Sequence, residues 1–275
     1  AAEYKKAQDA GEKERKAIFC GINMEGPFIS RDKMGAQNPA YISKPDQKLF
    51  DEMQEKCGEL IKLAAIAPET EGAMEFIREN KKRTVLSLAH TTADYDTAMK
   101  AFGEGASHVT HLYNAMPPYS HRAPGVVGAA ADSGAEAELI CDGVHIHPAA
   151  VRTTFKMLGE DKIIFISDSM MATGLEDGDY SLGGQAVKVT GTLATLKDGT
   201  IAGSATNLMD CMRRAVLDMK IPLEKAVKCA AVNPAKSVGI YDQYGSITAG
   251  KIANLVLLRK SDLSLYKVVL KGQVL

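Results

Sequence analysis

Six short apolar runs, separated by amphipathic stretches and loops, set the strongest limit on how this chain can fold. They are IFCGINME (18–25), LAAIAP (63–68), TVLSLAH (84–90), HVTHLYN (108–114), AELICDGVH (137–145) and KIIFISD (162–168). None shows the apolar/polar alternation of a sheet with one wet face, so each reads as a strand covered on both sides, as in a parallel sheet. Amphipathic segments at 46–59, 71–81, 93–102 and 148–158 read as the helices between them. Asp94 stands near the start of the third, and Gly103 and Gly105 follow its end, the residue types that open and close helices. Alternation of strand and helix implies a parallel sheet with covering helices.

The ends of these runs carry the chemistry. Five of the six bear, at or near the end, a residue able to bind a metal or move a proton: Glu25, His90, His111, His145 and Asp168. In a (β/α)8 barrel all C-terminal strand ends open on one mouth, whereas a doubly wound sheet gathers such residues only at a switch point. The expected fold class is therefore α/β, a (β/α)8 TIM-type barrel. Six strands are counted where the fold has eight, so the first strands are expected to be lacking. The opening AAEYKKAQDAGEKERK has no initiator Met and no apolar signal segment. Residues 1–7 read as the tail of a helix ended near Gly11, and the natural protein is expected to start upstream.

After Asp168 the pattern changes. Residues 179–204 are rich in Gly and Thr with alternating polarity, the mark of β-hairpins with Asp-Gly turns. Helices are expected over 207–219 and 222–229, with NPAKSVG (233–239) as an ending turn. The tail reads as short strands of a small β domain. The expected division is 1–243 for the barrel, incomplete at its N-terminus, and 244–275 for the C-terminal part of the small domain.

Bulk properties exclude several classes. A chain of 275 residues with formal net charge −1 offers no electrostatic case for nucleic acid or an anionic membrane. No apolar run reaches the ~18–20 residues that span a bilayer. The five cysteines, Cys20, Cys57, Cys141, Cys211 and Cys229, are scattered without a CxxC pair. That pattern suits reduced thiols of the cytoplasm rather than disulfides or a thiolate zinc site.

Glu25, His90 and His111 offer one carboxylate and two imidazoles at strand ends. Three protein ligands with a fourth position left for water is the pattern of a catalytic metal site. Such N/O ligands suit zinc first, with iron, cobalt or manganese as alternatives. The ion would lower the pKa of a bound water toward ~7 and supply a hydroxide nucleophile at neutral pH. Taken singly, each residue could equally be a capping group or a hydrogen-bonded residue at the core's edge. Asp168 could pass a proton from that water to a leaving amine, or simply cap a turn. His145 or His147 could hydrogen-bond a substrate oxygen. His145 is the favoured one, because it lies closer to the strand end, while His147 before Pro148 could merely open the next helix. His108, earlier on its strand, reads as a packing residue. Arg122, in a Gly/Pro loop, has the fork that suits a phosphate or carboxylate, or is a solvated loop residue. Backbone N–H groups of IAGS (201–204), ahead of a helix, could meet a polar ligand.

Taken together, NMEGPFIS (23–30), LAHTTA (88–93), THLYNAM (110–116), CDGVHIHP (141–148), SDSMMATG (167–174), LATLKDGTIAGS (193–204) and NPAKSVGI (233–240) resemble the N-acetylglucosamine-6-phosphate deacetylases of the amidohydrolase superfamily. The resemblance covers essentially the whole chain. It implies that Glu25, His90 and His111 bind the catalytic divalent metal and that Asp168 is the acid/base. Substrate contacts fall by the same resemblance on Ala36, Gln37, Asn114, Ala115, Arg122, His145, Ile201, Ala202 and Gly203, with Arg122 on the phosphate. The implied reaction yields glucosamine 6-phosphate and acetate in cytoplasmic amino-sugar catabolism, by a homodimer whose partner is a small amino-sugar phosphate and not nucleic acid or membrane. Two departures stand out. The early His-x-His pair of many amidohydrolases is absent, and Gln37 stands where many relatives carry His in a GAH triplet. The competing readings are another amidohydrolase, of the D-aminoacylase or dihydroorotase kind, and a truncated, inactive remnant.

Overall fold

All six apolar runs contain a strand, and the six strands lie side by side in chain order. These are β1 (Ile22–Met24), β2 (Ile61–Ile66), β3 (Val85–Leu88), β4 (His108–Val109), β5 (Glu136–Ile140) and β6 (Ile163–Ile166). The structure, a computed structural model, describes Lys6 and residues 17–275. The helix tail expected over 1–7 and its end near Gly11 lie, Lys6 apart, outside the described residues. Every neighbouring pair is parallel, with Leu63 opposite Val85, Leu88 opposite Val109, Val109 opposite Ala137 and Ile140 opposite Ile166. A strand order that never reverses is that of a barrel wall, not of a doubly wound sheet. Among the described residues the parallel sheet has six strands, against the eight of a closed barrel.

Helices α1 (Gln47–Cys57), α2 (Ala73–Asn80), α3 (Tyr95–Glu104), α4 (Gly125–Ser133) and α5 (Pro148–Leu158) cross between the strands. Their starts are chemically marked. Asp46 Oδ1 accepts from Leu49 N at 3.0 Å and Asp94 Oδ1 from Thr97 N at 2.9 Å, each satisfying an N–H that the first helical turn leaves free. Gly103 falls inside α3 and Gly105 follows it. Helix α4 was not expected from the sequence. Its GVVGAAADS has no polar stripe because residues 125–130 are all buried, and a helix covered all round shows no 3.6-residue periodicity. Phe50 of α1 and Phe28 both meet Phe76 of α2 edge to face, with ring centroids 5.2 and 5.1 Å apart. These rings and the outward residues Leu86, Leu88, Val109, Leu139 and Phe165 make one core between sheet and helices.

Beyond Asp168 the expected hairpins appear as β7 (Gly178–Leu182), β8 (Gln185–Thr190), β9 (Leu193–Thr195) and β10 (Ile201–Ser204), an antiparallel sheet in the order β10-β9-β8-β7. Alternate residues Val187 and Val189 face a separate small core with Met170, Ala172, Ala194 and Ala202. This sheet is tied to the mouth end of β6: Ser204 N donates to Asp168 O at 2.7 Å and Met170 N to Ser204 O at 2.8 Å. Gly203 sits at the crossing with φ +67°, and a Cβ there would lie 2.9 Å from Asp168 O, so only glycine permits this approach.

Helices α6 (Leu208–Leu217) and α7 (Leu223–Val227) follow as expected, and a π-helical turn (Lys228–Val232) leads into α8 (Asn233–Ser237). The sequence placed only an ending turn at 233–239. The helix forms because Pro234 sits in its first turn, where no N–H is needed, and Asn233 Nδ2 is anchored on Glu160 O and Ile163 O, both at 2.7 Å. The tail carries β11 (Leu255–Leu258), β12 (Leu265–Leu270) and β13 (Gln273–Val274), antiparallel to one another. Among the described residues no helix is long and apolar enough to cross a membrane.

Candidate metal centre and its cavity

Glu25 follows β1, His90 follows β3 and His111 follows β4, and their ligand atoms converge. One ligand atom from each lies within 4.8 Å of the others, the one such group among the described residues. His90 Nε2 is 2.7 Å from Glu25 Oε1, His111 Nε2 is 3.5 Å from the same oxygen, and the two Nε2 atoms are 3.0 Å apart. Ligand atoms held ~2.0–2.2 Å from one tetrahedral ion are separated by roughly 3.3–3.6 Å, so a small divalent ion fits with little movement.

The chemistry of the donors agrees. His90 Nδ1 donates to the Lys33 carbonyl at 2.7 Å, which leaves Nε2 with its lone pair toward the group. A lone pair facing a carboxylate oxygen and a second imidazole nitrogen needs a cation or a shared proton between them. In the metal-free protein His111 carries that proton. Its burial opposes charge, but hydrogen bonding and attraction to Glu25, with Asp168 and Glu138 beyond, raise its pKa to about 9. Burial likewise pushes Glu25 up, and its contacts with the His111 and then the His90 imidazole outweigh it, holding the carboxyl well below its usual range. His111 Nδ1 is buried without a hydrogen-bond partner.

The strand ends turn sharply to bring these groups inward. His90, His111 and Asp168 have φ of 44°, 32° and 51°, in the left-handed region that non-glycine residues seldom adopt. Tyr113 and Ala115 on the loop after β4 do the same, at 79° and 49°. Such backbone costs of order 1–3 kcal/mol per residue and concentrates at working sites.

A cavity of about 1010 Å³ opens over the group. Its wall includes Glu25, His90 and His111 together with Ala36, Gln37, Asn114, Ala115, His145, Asp168, Ile201 and Gly203. Two residues named from the sequence stand elsewhere. Ala202 is fully buried in the small core beneath β10, because its neighbours Ile201 and Gly203 take the faces toward the cavity. Arg122 is exposed on the loop before α4, outside the cavity wall, where Lys33 is the one lysine or arginine among the described residues. His147 caps α5, its Nδ1 accepting from Ala149 N at 3.1 Å, while His145 faces the cavity.

Asp168 is the counterpart of Glu25. Burial and the nearby Glu25 charge raise its pKa to about 6, against the pull of His111, His145 and His90. Two carboxylates whose surroundings drive them in opposite directions give one fixed anion and one group able to take and return a proton.

Sequence reasoning passed over two residues that shape this site. Asp142 was read only as part of a turn, yet it is fully buried. Its Oδ2 accepts from His145 Nδ1 at 2.7 Å and its Oδ1 from Val144 N and His145 N, both at 2.9 Å. The i,i+3 spacing of Asp142 and His145 across a glycine was the available signal. Glu138, within an apolar strand, points to the inside of the sheet, where Oε2 accepts from His111 N at 3.3 Å and Oε1 lies 3.8 Å from His108 Nε2.

A parallel β/α wall whose strand ends gather one carboxylate and two imidazoles beside a second carboxylate of raised pKa defines a barrel-type protein with a candidate metal site at its mouth. Residues 6–275 match the model of the amidohydrolase family, and the chain belongs to that family. It is 42% identical over 260 residues to the N-acetylglucosamine-6-phosphate deacetylase of Bacillus subtilis (strain 168), a match covering 94% of this chain and 65% of that protein. It is 33% identical to the N-acetylgalactosamine-6-phosphate deacetylase of Escherichia coli O157:H7, over 94% of this chain and 68% of that one. The crystal structure of an aspartate-to-alanine mutant of N-acetyl-D-glucosamine-6-phosphate deacetylase from Mycobacterium smegmatis, in complex with N-acetyl-D-glucosamine-6-phosphate, superposes with a TM-score of 0.89 at 32% identity. That likeness spans 98% of this chain and 72% of the other. The chain thus covers about two thirds of the length of the relatives it matches.

Proposed function

We propose that this centre hydrolyses the N-acetyl amide of an amino-sugar 6-phosphate, N-acetylglucosamine 6-phosphate first, to glucosamine 6-phosphate and acetate. The observation that carries the reading is the convergence of Glu25, His90 and His111 on one point, with Asp168 on the same cavity. The names of the relatives supply the substrate class.

Glu25, His90 and His111 would hold a divalent ion, zinc in the first place with iron, cobalt or manganese as alternatives. When bound, such an ion lowers the pKa of water toward ~7 and polarises a carbonyl oxygen. Asp168 accepts a proton from the attacking water and delivers it to the nitrogen as the C–N bond breaks, so the amine leaves neutral and the acetyl group departs as acetic acid, whose proton then passes to solvent to leave acetate. Asp142 fixes the His145 ring by its Nδ1, leaving Nε2 to meet a substrate oxygen. Ala36, Asn114, Ala115, Ile201 and Gly203 shape the sugar site, and Arg122 is assigned to the phosphate from the rim. Division of the chain at 243/244, a homodimer and a cytoplasmic location complete the proposal.

The test is acetate release by zinc-loaded protein from N-acetylglucosamine 6-phosphate, with N-acetylgalactosamine 6-phosphate and unphosphorylated N-acetylglucosamine in parallel. Release from the glucosamine phosphate at the highest kcat/KM is expected. A preference for the galactosamine phosphate would reassign the sugar, and no release from either phosphate would overturn the reading.

A further inference from the structure

We infer that Gln37 is a positioning residue that sets the carboxylate of Glu25 for its ion, and that the β7–β8 hairpin holds Gln37 in place. It rests on the metal-centre reading above. Gln37 Nε2 lies 3.2 Å from Glu25 Oε1 and 3.2 Å from the main-chain oxygen of the same residue. An amide NH2 has two hydrogens, one for each acceptor. The oxygen it grips is the one that faces His90 Nε2 at 2.7 Å and His111 Nε2 at 3.5 Å. A carboxylate can otherwise turn about its last bond, which is soft. Tying Oε1 and the backbone carbonyl of Glu25 to one planar amide removes that freedom and keeps Oε1 aimed at the imidazoles.

The neighbouring backbone is shaped for this contact. Gly26 has φ +90°, and a Cβ there would stand 3.2 Å from Gln37 Oε1, so a side chain at 26 would press on the amide. Gln37 is also secured from both sides. Gln185 Nε2 donates to Ala36 O at 2.6 Å, and Asn38 Nδ2 donates to Gly183 O at 3.1 Å. Both partners belong to the turn and first residue of the β7–β8 hairpin, so the antiparallel sheet braces the loop that orients a ligand on the parallel one. The residue type matters too. A cationic side chain at 37 would compete with the ion for Oε1, whereas a neutral amide donates without adding charge and does not titrate. The amide hydrogens are committed to Glu25, which accounts for a glutamine at a position otherwise read as a substrate contact.

Zinc affinity of the whole chain, measured by competition with a chromophoric chelator, tests the inference in the wild type, Gln37→Met, Gln185→Met and the double variant. Methionine keeps the length of glutamine and removes the donors. Gln37→Met is expected to weaken zinc by about 10-fold or more, the usual scale for groups that orient metal ligands. Gln185→Met should weaken it by a smaller factor, and the double variant should match Gln37→Met, because the hairpin acts through Gln37. Metal-free melting temperatures near wild type would show that folding is not the cause. Zinc binding to Gln37→Met within about twofold of wild type, or losses that simply add in the double variant, would overturn the inference while leaving the metal centre intact. A wild type that binds no zinc would overturn both.

Discussion

Strands β3 and β4 take part in two polar clusters that behave in opposite ways. At the mouth, beyond β3 and β4, Glu25 meets His90 and His111 at 2.7 and 3.5 Å, and charge is stabilised: the carboxyl is held ionised and His111 is raised to about 9. Inside the sheet, on β3, β4 and β5, the polar residues are Ser87, His108 and Glu138. Ser87 Oγ meets His108 Nδ1 at 2.9 Å and Thr110 Oγ1 at 2.6 Å, so the hydroxyls satisfy the ring without a charge. Burial pushes His108 down to about 3 and Glu138 up to about 7. The imidazoles of His90, His111 and His108 are all buried. What differs is whether a carboxylate and an imidazole touch, and that decides where charge resides.

The largest effect expected from breaking the mouth cluster is loss of the ion. Chelator treatment should reduce acetate release to background, and added zinc should restore it. Full turnover in demonstrably metal-free protein would remove the metal centre from the reaction. Next comes Asp168→Asn, which keeps volume and hydrogen bonding but cannot carry a proton. A kcat lower by at least ~10²-fold with zinc content retained is expected. Burial and Glu25 raise Asp168 to about 6 in the metal-free protein, so the rate of the zinc-loaded wild type should climb with pH through a limb no higher than about 6 and then level as the carboxylate forms. A bound cation favours that carboxylate and moves the limb lower. An Asn variant with near-normal turnover, or with the same acidic limb, would move the proton-transfer role elsewhere.

The comparison also shows what could be read in the sequence. Glu25, His90, His111 and Asp168 were legible because each lies at a strand end, and a barrel sends all strand ends to one mouth. The six strands were legible because buried parallel strands are apolar throughout. Glu138 and His108 hid inside those runs: each alternates with apolar neighbours and looks like a tolerated polar residue until the sheet turns both inward. Helix α4 hid for the opposite reason, since burial on all sides erases the polar stripe that announces a helix. The Gln37 contact was out of reach, because it depends on a hairpin lying almost 150 positions further along the chain.

Asp142 tests the border between the two clusters, being a fully buried carboxylate whose imidazole does touch it. Burial raises its pKa, but hydrogen bonds from the His145 side chain and backbone, with one from Val144, bring it below the ordinary range. Asp142→Asn can keep the two backbone bonds at Oδ1 while placing an N–H donor against His145 Nδ1. The ring must then carry its proton on Nε2 or turn away. A drop of roughly 10-fold in kcat/KM is expected, on the scale of losing one oriented hydrogen bond of 1–1.5 kcal/mol, with a changed His145 tautomer by nitrogen NMR. An unchanged tautomer would show that Asp142 does not orient the ring.

The smallest effect on activity, and the sharpest test of the comparison, belongs to Glu138. Its folded pKa of about 7 lies above the ordinary glutamate value because burial disfavours its charge, with His111 only partly offsetting this. Between roughly pH 4.5 and 7 the native protein therefore keeps a proton that the unfolded chain has released. The native state binds more protons there, so stability falls as pH rises through this window and stays lower above it. His108 slopes the other way at lower pH: its depressed pKa of about 3 makes the unfolded chain the better proton binder up to about 6.5. Glu138→Gln keeps the shape and removes the titration. Metal-free wild type and variant should be unfolded in urea at pH 5 and pH 8. The wild type should lose more stability between the two, by up to about 3 kcal/mol for a shift of this size. Taking the difference between proteins cancels the His108 slope. Parallel pH profiles for the two proteins would mean that Glu138 is ionised in the fold, and that the inner cluster holds charge just as the mouth does.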